Sequence, residues 1–217
     1  MVTRYEWGVD SARVANEDLL QCVLDNFGFP RYWGRYLLRL PNFSEGLTME
    51  EINFIRGKGI KLLPIYNGFR EALGYEQGIF AATDAAFQAQ RLGIPQGIPL
   101  FADIEPFFPV NAEWIAGWTE QIYLSGYKSG IYNAPLIGEF SDAFCTAVER
   151  NPVIRMLTIL WSAQPHVPAG ESDEIPAYTP ASPDCGGTVG IWQYSRDLPE
   201  CHIDTNLATS RFVDMLW

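Results

Sequence analysis

Two carboxylates interrupt an otherwise apolar run in the middle of the chain, between Phe101 and Phe108. Asp103 and Glu105 are two positions apart, so on a β-strand both side chains point to one face, with Cα atoms about 6.6 Å apart. Burial and mutual repulsion push the two pKa values apart, which keeps one carboxyl protonated as a general acid. Cleavage of a glycosidic bond requires such a pair. The structural alternative, in which the acids only cap a helix or pair with arginine, is weaker because Pro106 ends an apolar strand here.

Two more acids occupy predicted strand ends. Asp10 lies at the end of the first predicted strand, and Asp204 lies in the last one. Alone, each could be a helix cap. In a closed barrel, however, the C-terminal ends of the first, fourth and eighth strands converge on one mouth. We therefore predict that Asp10, Asp103, Glu105 and Asp204 form a catalytic set.

Aromatic and amide side chains lie at the same level of the predicted strands. Flat rings with a polar edge suit the apolar faces of sugars, and amides suit N-acetyl and hydroxyl groups. Packing in the core is the alternative for part of this set. Arg35 is included because it is expected to pair with one of the site carboxylates. The predicted substrate-binding residues are Trp33, Arg35, Tyr66, Asn67, Tyr132, Asn133, Trp161, Gln164, Trp192, Gln193, Tyr194 and Asn206.

Short apolar runs alternate with stretches of helical period, a pattern typical of parallel βα units. The predicted strands span 5–11, 31–38, 60–67, 99–105, 128–133, 158–164, 189–195 and 202–207, and the predicted helices span 16–27, 48–58, 75–92, 112–125 and 137–150. Thr48 and Glu51 have the spacing of a capping box. The stretch 165–187 contains five prolines and three glycines, which predicts a long loop in place of a helix.

The fold class predicted from these elements is α/β, with eight strands as in a (β/α)8-type, TIM-like barrel. A single barrel domain over residues 1–217 is expected, because α/β barrels commonly run to about 200–250 residues as one domain. A weak repeat supports a recurring unit, since Ile65-Tyr66-Asn67 and Ile131-Tyr132-Asn133 each end a predicted strand.

Composition excludes several other classes of protein. The 217 residues carry 15 Lys and Arg against 26 Asp and Glu, a net charge of −11, whereas a nucleic-acid binder needs a basic face. The basic and aromatic segment Arg31–Arg39 is therefore not interpreted as a nucleic-acid patch. The two histidines are isolated and the cysteines form no C-x-x-C pair, so we expect no metal site and no cofactor. No apolar run approaches the roughly 20 residues of a membrane span.

The four cysteines allow two disulfides in three connectivities, or four reduced thiols. A Cys185–Cys201 bond is the first expectation, because both residues lie in loop-like stretches rich in glycine and proline. The first ten residues contain no apolar segment of a secretory signal peptide. We therefore expect export by another route, or a domain trimmed from a longer protein. The protein is expected to be a monomer.

Six segments, taken in order, resemble the signature segments of glycoside hydrolase family 25, the lysozymes or N-acetylmuramidases. The resemblance extends over nearly the whole chain and is closer still to a sister group of bacterial glycoside-hydrolase-like domains, domain of unknown function 1906. Departures from the lysozymes are the insertion at 165–187 and the three residues after Glu105. The matching segments are Gly8–Ser11, Asp103–Glu105, Gly126–Tyr132, Leu160–Ala163, Ile191–Ser195 and Ile203–Asn206.

The resemblance implies a barrel enzyme that cuts the β-1,4 bond between N-acetylmuramic acid and N-acetylglucosamine in peptidoglycan, outside the cell or at its wall. It implies that Glu105 is the general acid and that Asp103 orients the acetamide or stabilises oxocarbenium-like charge. Asp10 and Asp204 would hold the network and the sugar. Two alternatives stay open, an inactive glycan-binding barrel and a different barrel enzyme. A phosphate substrate is disfavoured because no glycine-rich phosphate loop precedes a helix.

Overall fold

Strands and helices alternate along the chain in the predicted order. The computed structural model describes residues 4–166 and 175–217. The strands are β1 Tyr5–Ser11, β2 Tyr32–Tyr36, β3 Lys61–Tyr66, β4 Pro99–Asp103, β5 Lys128–Asn133, β6 Thr158–Ala163, β7 Thr188–Leu198 and β8 Ile203–Thr209. The helices are α1 Glu17–Asn26, α2 Met49–Gly57, α3 Tyr75–Arg91, α4 Ala112–Leu124, α5 Phe140–Arg150, α6 Val153–Leu157 and α7 Ser210–Val213. The short helices α6 and α7 were not predicted. Part of the predicted loop 165–187 lies outside the described residues, and its described parts contain no helix.

Polar side chains start helices α1, α2, α4 and α7. Asn16 and Asn111 accept hydrogen bonds from backbone N–H groups in the first turns of α1 and α4, and Thr48 accepts from the N–H of Glu51 in α2. These bonds satisfy donors that have no partner within the helix. The predicted capping box is only half formed, because the Glu51 carboxylate binds Arg35 instead.

The eight strands form a closed barrel in chain order, which confirms the predicted TIM-like fold class. Strands β1 to β7 are parallel to their neighbours, but β8 is antiparallel to both β7 and β1. The connection from Leu198 to Ile203 is too short for a crossover helix, so it forms a hairpin. The expectation of an all-parallel barrel is therefore wrong at β8. Asp204 lies near the start of this strand, not at its end, and reaches the mouth because β8 runs in reverse.

Side chains inside the barrel form a separate core from those between the strands and the helices. The interior cluster is closed at the bottom of the barrel by α7 and the residues after it. Glycine allows close approach here: a Cβ at Gly34 would lie 2.6 Å from the Cβ of Asp10. The interior cluster consists of Tyr32, Leu63, Ile65, Phe101, Tyr132, Trp161, Ala163, Ile191, Ala208, Phe212, Val213 and Leu216.

The two Ile-Tyr-Asn segments do not occupy equivalent places. Ile65 packs inside the barrel while Tyr66 packs outside, with its ring 5.9 Å from that of Trp118. In the second segment Tyr132 is inside and Ile131 outside. The two strands are out of phase by one residue, which exchanges the faces of all their side chains.

Two disulfides connect loops to helices. Cys22 on α1 bonds Cys201 in the β7–β8 connection, and Cys145 on α5 bonds Cys185 before β7. The expected Cys185–Cys201 bond is wrong, because each loop cysteine faces a different neighbouring helix. In the described part of the chain, no helix has the length and apolar character needed to cross a bilayer.

Removing the Cys22–Cys201 disulfide should lower the free energy of unfolding by about 2–4 kcal/mol, because this bond restricts the unfolded chain across a large loop. The two residues are 179 positions apart, against 40 for the other pair. Urea denaturation of a Cys22→Ala/Cys201→Ala variant measures the loss. The matched Cys145→Ala/Cys185→Ala variant should lose less, and equal or reversed losses would contradict the loop-length argument.

Candidate active site

A cavity of about 540 Å³ opens at the end of the barrel where the parallel strands finish. All four acids of the predicted catalytic set line it, namely Asp10, Asp103, Glu105 and Asp204. The other described lining residues are Ser11, Ala12, Arg13, Tyr36, Phe43, Ile65, Phe107, Tyr132, Trp161, Gln193, Arg196, Asp197, His202 and Ile203.

Strands β1, β4 and β8 position the four acids. Asp10 and Asp204 are directly paired across β1 and β8, and we call them the floor acids. Asp103 is the last residue of β4, with 4% of its surface exposed. Glu105 lies two residues beyond the strand and is only partly buried. Glu105 is therefore the member of the β4 pair that is more accessible to a ligand.

A fixed amide orients Asp10. The indole N–H of Trp161 donates to Oδ1 of Asn206 over 2.9 Å, and an indole N–H can only donate. The Asn206 amide nitrogen must therefore face the other way, where it donates to Oδ2 of Asp10 over 2.7 Å. Oδ2 of Asp10 is an acceptor, so any proton on this carboxyl resides on Oδ1.

A second amide connects the two floor acids. The Tyr132 hydroxyl donates to Oε1 of Gln193 over 2.9 Å. Nε2 of Gln193 then donates to Oδ2 of Asp204 over 3.0 Å and to Oδ2 of Asp10 over 3.3 Å. The backbone N–H of Asp197 donates to the remaining oxygen of Asp204 over 2.7 Å. Each floor carboxylate is thus held by two donors.

Burial raises the pKa of all four acids, because a charged carboxylate loses its hydration in the cavity. The pKa of Asp103 rises well above its ordinary value, and the charges of Glu105 and Asp10 add to the rise. For Glu105, the Arg196 guanidinium partly offsets the effect of burial. Repulsion within the group favours retention of a proton by at least one acid at neutral pH, which is the condition for general acid catalysis.

Replacing Asp103 with asparagine should stabilise the fold at pH 7 by on the order of 1 kcal/mol. Since the folded state raises the pKa of Asp103, its stabilising contribution is full below the unfolded pKa of about 4 and is lost as the pH rises toward the folded value. Urea denaturation at pH 7 and at about pH 4 should show a gap between variant and wild type that closes at the lower pH. A variant less stable than wild type at pH 7 would contradict this.

The structure does not bring all predicted substrate-binding residues to the mouth. Tyr132, Trp161 and Gln193 line the cavity, and Asn206 lies buried beneath it in contact with Asp10. Five others pack on the outer face of their strands, because each alternates along its strand with residues that face the barrel interior. These five are Trp33, Arg35, Tyr66, Trp192 and Tyr194.

The expected pairing of Arg35 with a site carboxylate is wrong. Its buried guanidinium binds the Glu51 carboxylate and the carbonyl oxygens of Ser11 and Glu45. Without a direct contact, its charge still lowers the pKa of Asp10. Arg196 lowers the pKa of Glu105, and Arg70 lowers that of Asp103.

The other outward residues have structural partners. The Trp33 indole donates to the Ser11 hydroxyl, the Tyr66 hydroxyl donates to Asp84, and the Tyr194 hydroxyl accepts from Trp7. The Trp192 ring packs edge-on against the ring of Tyr178. We therefore place these four aromatic residues in the core.

Three predicted amides are also absent from the described lining of the cavity. Asn67 donates to the Ser44 hydroxyl, and Asn133 donates to backbone carbonyls of β5 and β6. Oε1 of Gln164 accepts from the N–H of Ala181, which fastens the end of the long loop. Their contacts support the backbone around the mouth.

Sequence reasoning missed Tyr36 and the Arg196–Asp197 pair, all of which line the cavity. Tyr36 lies two positions after Gly34 on β2, so the two residues share the inner face of the strand. The sequence predicts that they share a face but does not show which face is the inner one. Burial and the nearby Asp103 raise the pKa of the Tyr36 hydroxyl. Arg196 and Asp197 lie beyond the predicted end of the seventh strand, which continues to Leu198.

Comparison with known proteins agrees with this fold. A family model for an Rv2525c-like, glycoside hydrolase-like domain matches residues 29–176. The chain belongs to this family. An uncharacterised protein of B. stearothermophilus is 50% identical, with a TM-score of 0.96 over 98% of this chain and 100% of that one. Among curated proteins, no match was found.

More distant structures share the fold of this Rv2525c-like domain. A muramidase from Trichobolus zukalii is 13% identical, with a TM-score of 0.62 over 97% of this chain and 98% of that one. A family GH25 lysozyme from Aspergillus fumigatus is 11% identical, with a TM-score of 0.57 over 98% and 99%. The predicted resemblance to glycoside hydrolase family 25 is therefore confirmed at the level of the fold.

Proposed function

We propose that this Rv2525c-like domain hydrolyses a β-1,4 glycosidic bond in an N-acetylated glycan, with bacterial peptidoglycan as the substrate. The observation that carries the proposal is the convergence of Asp103 and Glu105 with the floor acids Asp10 and Asp204 in one cavity. Bringing four acids together in a largely desolvated cavity destabilises the folded state. Such a cost is typical of functional sites, and cleavage of an acetal needs both an acid and a stabilising carboxylate.

Glu105 is the proposed general acid. It is the more accessible member of the β4 pair, and burial raises its pKa above that of a free glutamate, which is the direction that a general acid requires. Its proton passes to the glycosidic oxygen as the bond from that oxygen to the anomeric carbon breaks. Water then adds to the anomeric carbon and loses a proton to the Glu105 carboxylate, which restores the acid.

Asp103 is the proposed partner of the sugar at the bond that breaks. Its carboxyl either orients the acetamide or stabilises the positive charge that develops at the anomeric carbon. Asp10 and Asp204 keep the floor rigid through Gln193 and Asn206. A site held in place by such contacts does not need to reorganise during the reaction. No cofactor enters the proposed reaction.

Two further observations support action at the cell wall. The structural relatives include a muramidase and a lysozyme, and both solved chains match over almost their whole length. The two disulfides suit an oxidising environment outside the cytoplasm. We propose that the protein acts as a monomer on wall glycan.

The identity of the new reducing end tests the proposal. Purified peptidoglycan is digested with the protein, the products are reduced with borohydride, and the terminal sugar alcohol is identified by mass spectrometry. Cleavage as proposed leaves N-acetylmuramic acid at the reducing end. Binding of the glycan without any new reducing end would instead indicate an inactive glycan-binding barrel.

A further inference from the structure

Two arginines stand at the rim of the acidic cavity, although the chain as a whole carries a net charge of −11. The only ion pair of Arg196 among the described residues is with Asp197 at 3.6 Å, and the Asp197 side chain is 89% exposed. Arg13 makes no ion pair within the part of the chain that the structure describes. An exposed pair between sequence neighbours contributes little, so both guanidinium groups can bind an anionic ligand. We call Arg13 and Arg196 the rim arginines.

A second cavity adjoins the mouth at this part of the rim. It has a volume of about 530 Å³, shares Arg13 and His202 with the mouth and extends to the start of α1. Its walls include the Cys22–Cys201 disulfide. The two cavities therefore adjoin at Arg13 and His202, beside the β1–α1 connection. A substituent on a sugar in the mouth can therefore reach the rim arginines.

The β7–β8 hairpin presents this part of the rim in a fixed shape. Asp197 and His202 both have φ of 55°, in the left-handed region that residues other than glycine seldom adopt. The Asp197 N–H is bonded to Asp204, and Cys201 ties the hairpin to α1. Strained backbone that is held this firmly is typical of ligand sites. A preformed hairpin also lowers the entropy lost when a ligand binds.

We propose that the rim arginines form a carboxylate-binding subsite that selects glycans with a carboxylate on the bound sugar or on its substituent. A guanidinium binds a carboxylate through two parallel hydrogen bonds. The acids of the cavity repel a dianionic phosphate more strongly than a singly charged group at the same place. The proposal deepens the function proposed above, because it names the chemical class of glycan that this site accepts.

Binding by the Glu105→Gln protein tests the subsite without any hydrolysis. Isothermal titration calorimetry uses three probes: a tetrasaccharide of N-acetylglucosamine and N-acetylmuramic acid with a free lactyl carboxylate, its neutral methylamide, and an N-acetylglucosamine tetrasaccharide. Adding Arg13→Gln and Arg196→Gln should raise the Kd of the charged probe about tenfold or more, which is the scale of charge-assisted hydrogen bonds. The Kd of both neutral probes should stay unchanged.

Two further arms sharpen the test. Arg211→Gln removes an exposed arginine from an apolar cavity at the opposite end of the barrel and should leave every Kd unchanged. A fourth probe, in which a stem peptide amidates the lactyl group, moves the carboxylate away from the sugar. A loss confined to this fourth probe identifies the peptide carboxylate as the group that is bound. Equal losses for charged and neutral probes, or no loss for any, would overturn the subsite.

The outcome is separable from that of the proposed reaction. If the protein releases no reducing ends but the variants lose binding only for charged probes, the proposed subsite is supported and the proposed hydrolysis is contradicted. If wild type hydrolyses charged and neutral glycans with equal KM, the proposed hydrolysis is supported and the proposed subsite is contradicted. If both proposals hold, Arg13→Gln raises KM for charged glycan and does not raise KM for neutral glycan. Circular dichroism spectra identical to that of wild type exclude misfolding as the cause.

Discussion

Glu105→Gln should lower the rate of glycan hydrolysis by about 10²- to 10⁴-fold, the usual contribution of a general acid. The amide keeps the shape and volume of the side chain but has no proton to give to the leaving oxygen. Because Glu105 is only partly buried and its charged form is disfavoured by burial, the amide should not destabilise the fold. Initial rates on soluble peptidoglycan fragments and a thermal melt of the same samples measure both effects.

Glu50→Gln is the matched control for this variant. Glu50 is an exposed residue in the first turn of α2 and is absent from the described lining of the cavity. The same change of charge there should leave the rate at the wild-type level. Equal rates for wild type and Glu105→Gln would remove Glu105 from the proposed mechanism.

Glu51→Gln should reduce the free energy of unfolding by about 3–5 kcal/mol, as is typical when one partner of a buried ion pair is removed. The Arg35 and Glu51 side chains are 0% and 1% exposed, so the change leaves a guanidinium charge in the interior. The Glu51 carboxylate also accepts the N–H of Ala15 ahead of α1, and the glutamine oxygen can retain that bond. The loss therefore reports the unpaired charge.

A second substitution and an exposed pair serve as controls. In the double variant Arg35→Met/Glu51→Gln the charge is gone, so most of the lost stability should return. The exposed pair of Glu113 and Arg150 should contribute much less than the buried pair, as measured with Glu113→Gln. Urea denaturation provides all four free energies. A double variant less stable than Glu51→Gln alone would contradict the account of the buried charge.

The order of the elements was predictable from the sequence because strands and helices have different hydrophobic periods. Strands β1 and β5 have the predicted bounds. The position of the mouth was also predictable. Burying an unpaired charge is costly, so a charged residue at the end of an apolar strand indicates a functional site. The sequence therefore predicted, without any information on contacts, that Asp10, Asp103 and Glu105 lie in one cavity, as they do.

The face of each strand was not predictable in the same way. A barrel strand is buried on both sides, so its sequence lacks the alternation of polar and apolar residues that marks an exposed face. Trp33 and Tyr36 in β2 are both large and aromatic, yet the first faces the helices and the second faces the site. The Cys22–Cys201 pair depends on packing between a hairpin and a helix, which the spacing of cysteines does not encode.

The release of reducing ends from purified peptidoglycan, by wild type beside Glu105→Gln, tests the central claim most directly. Both proteins are added at equal concentration, and binding to the wall material is measured in the same samples. We expect a steady rise of reducing ends with wild type and a rate about 10²- to 10⁴-fold lower with the variant, at equal binding. Release at the same rate by both proteins, or binding without release by wild type, would contradict the claim that this cavity cleaves glycan through Glu105.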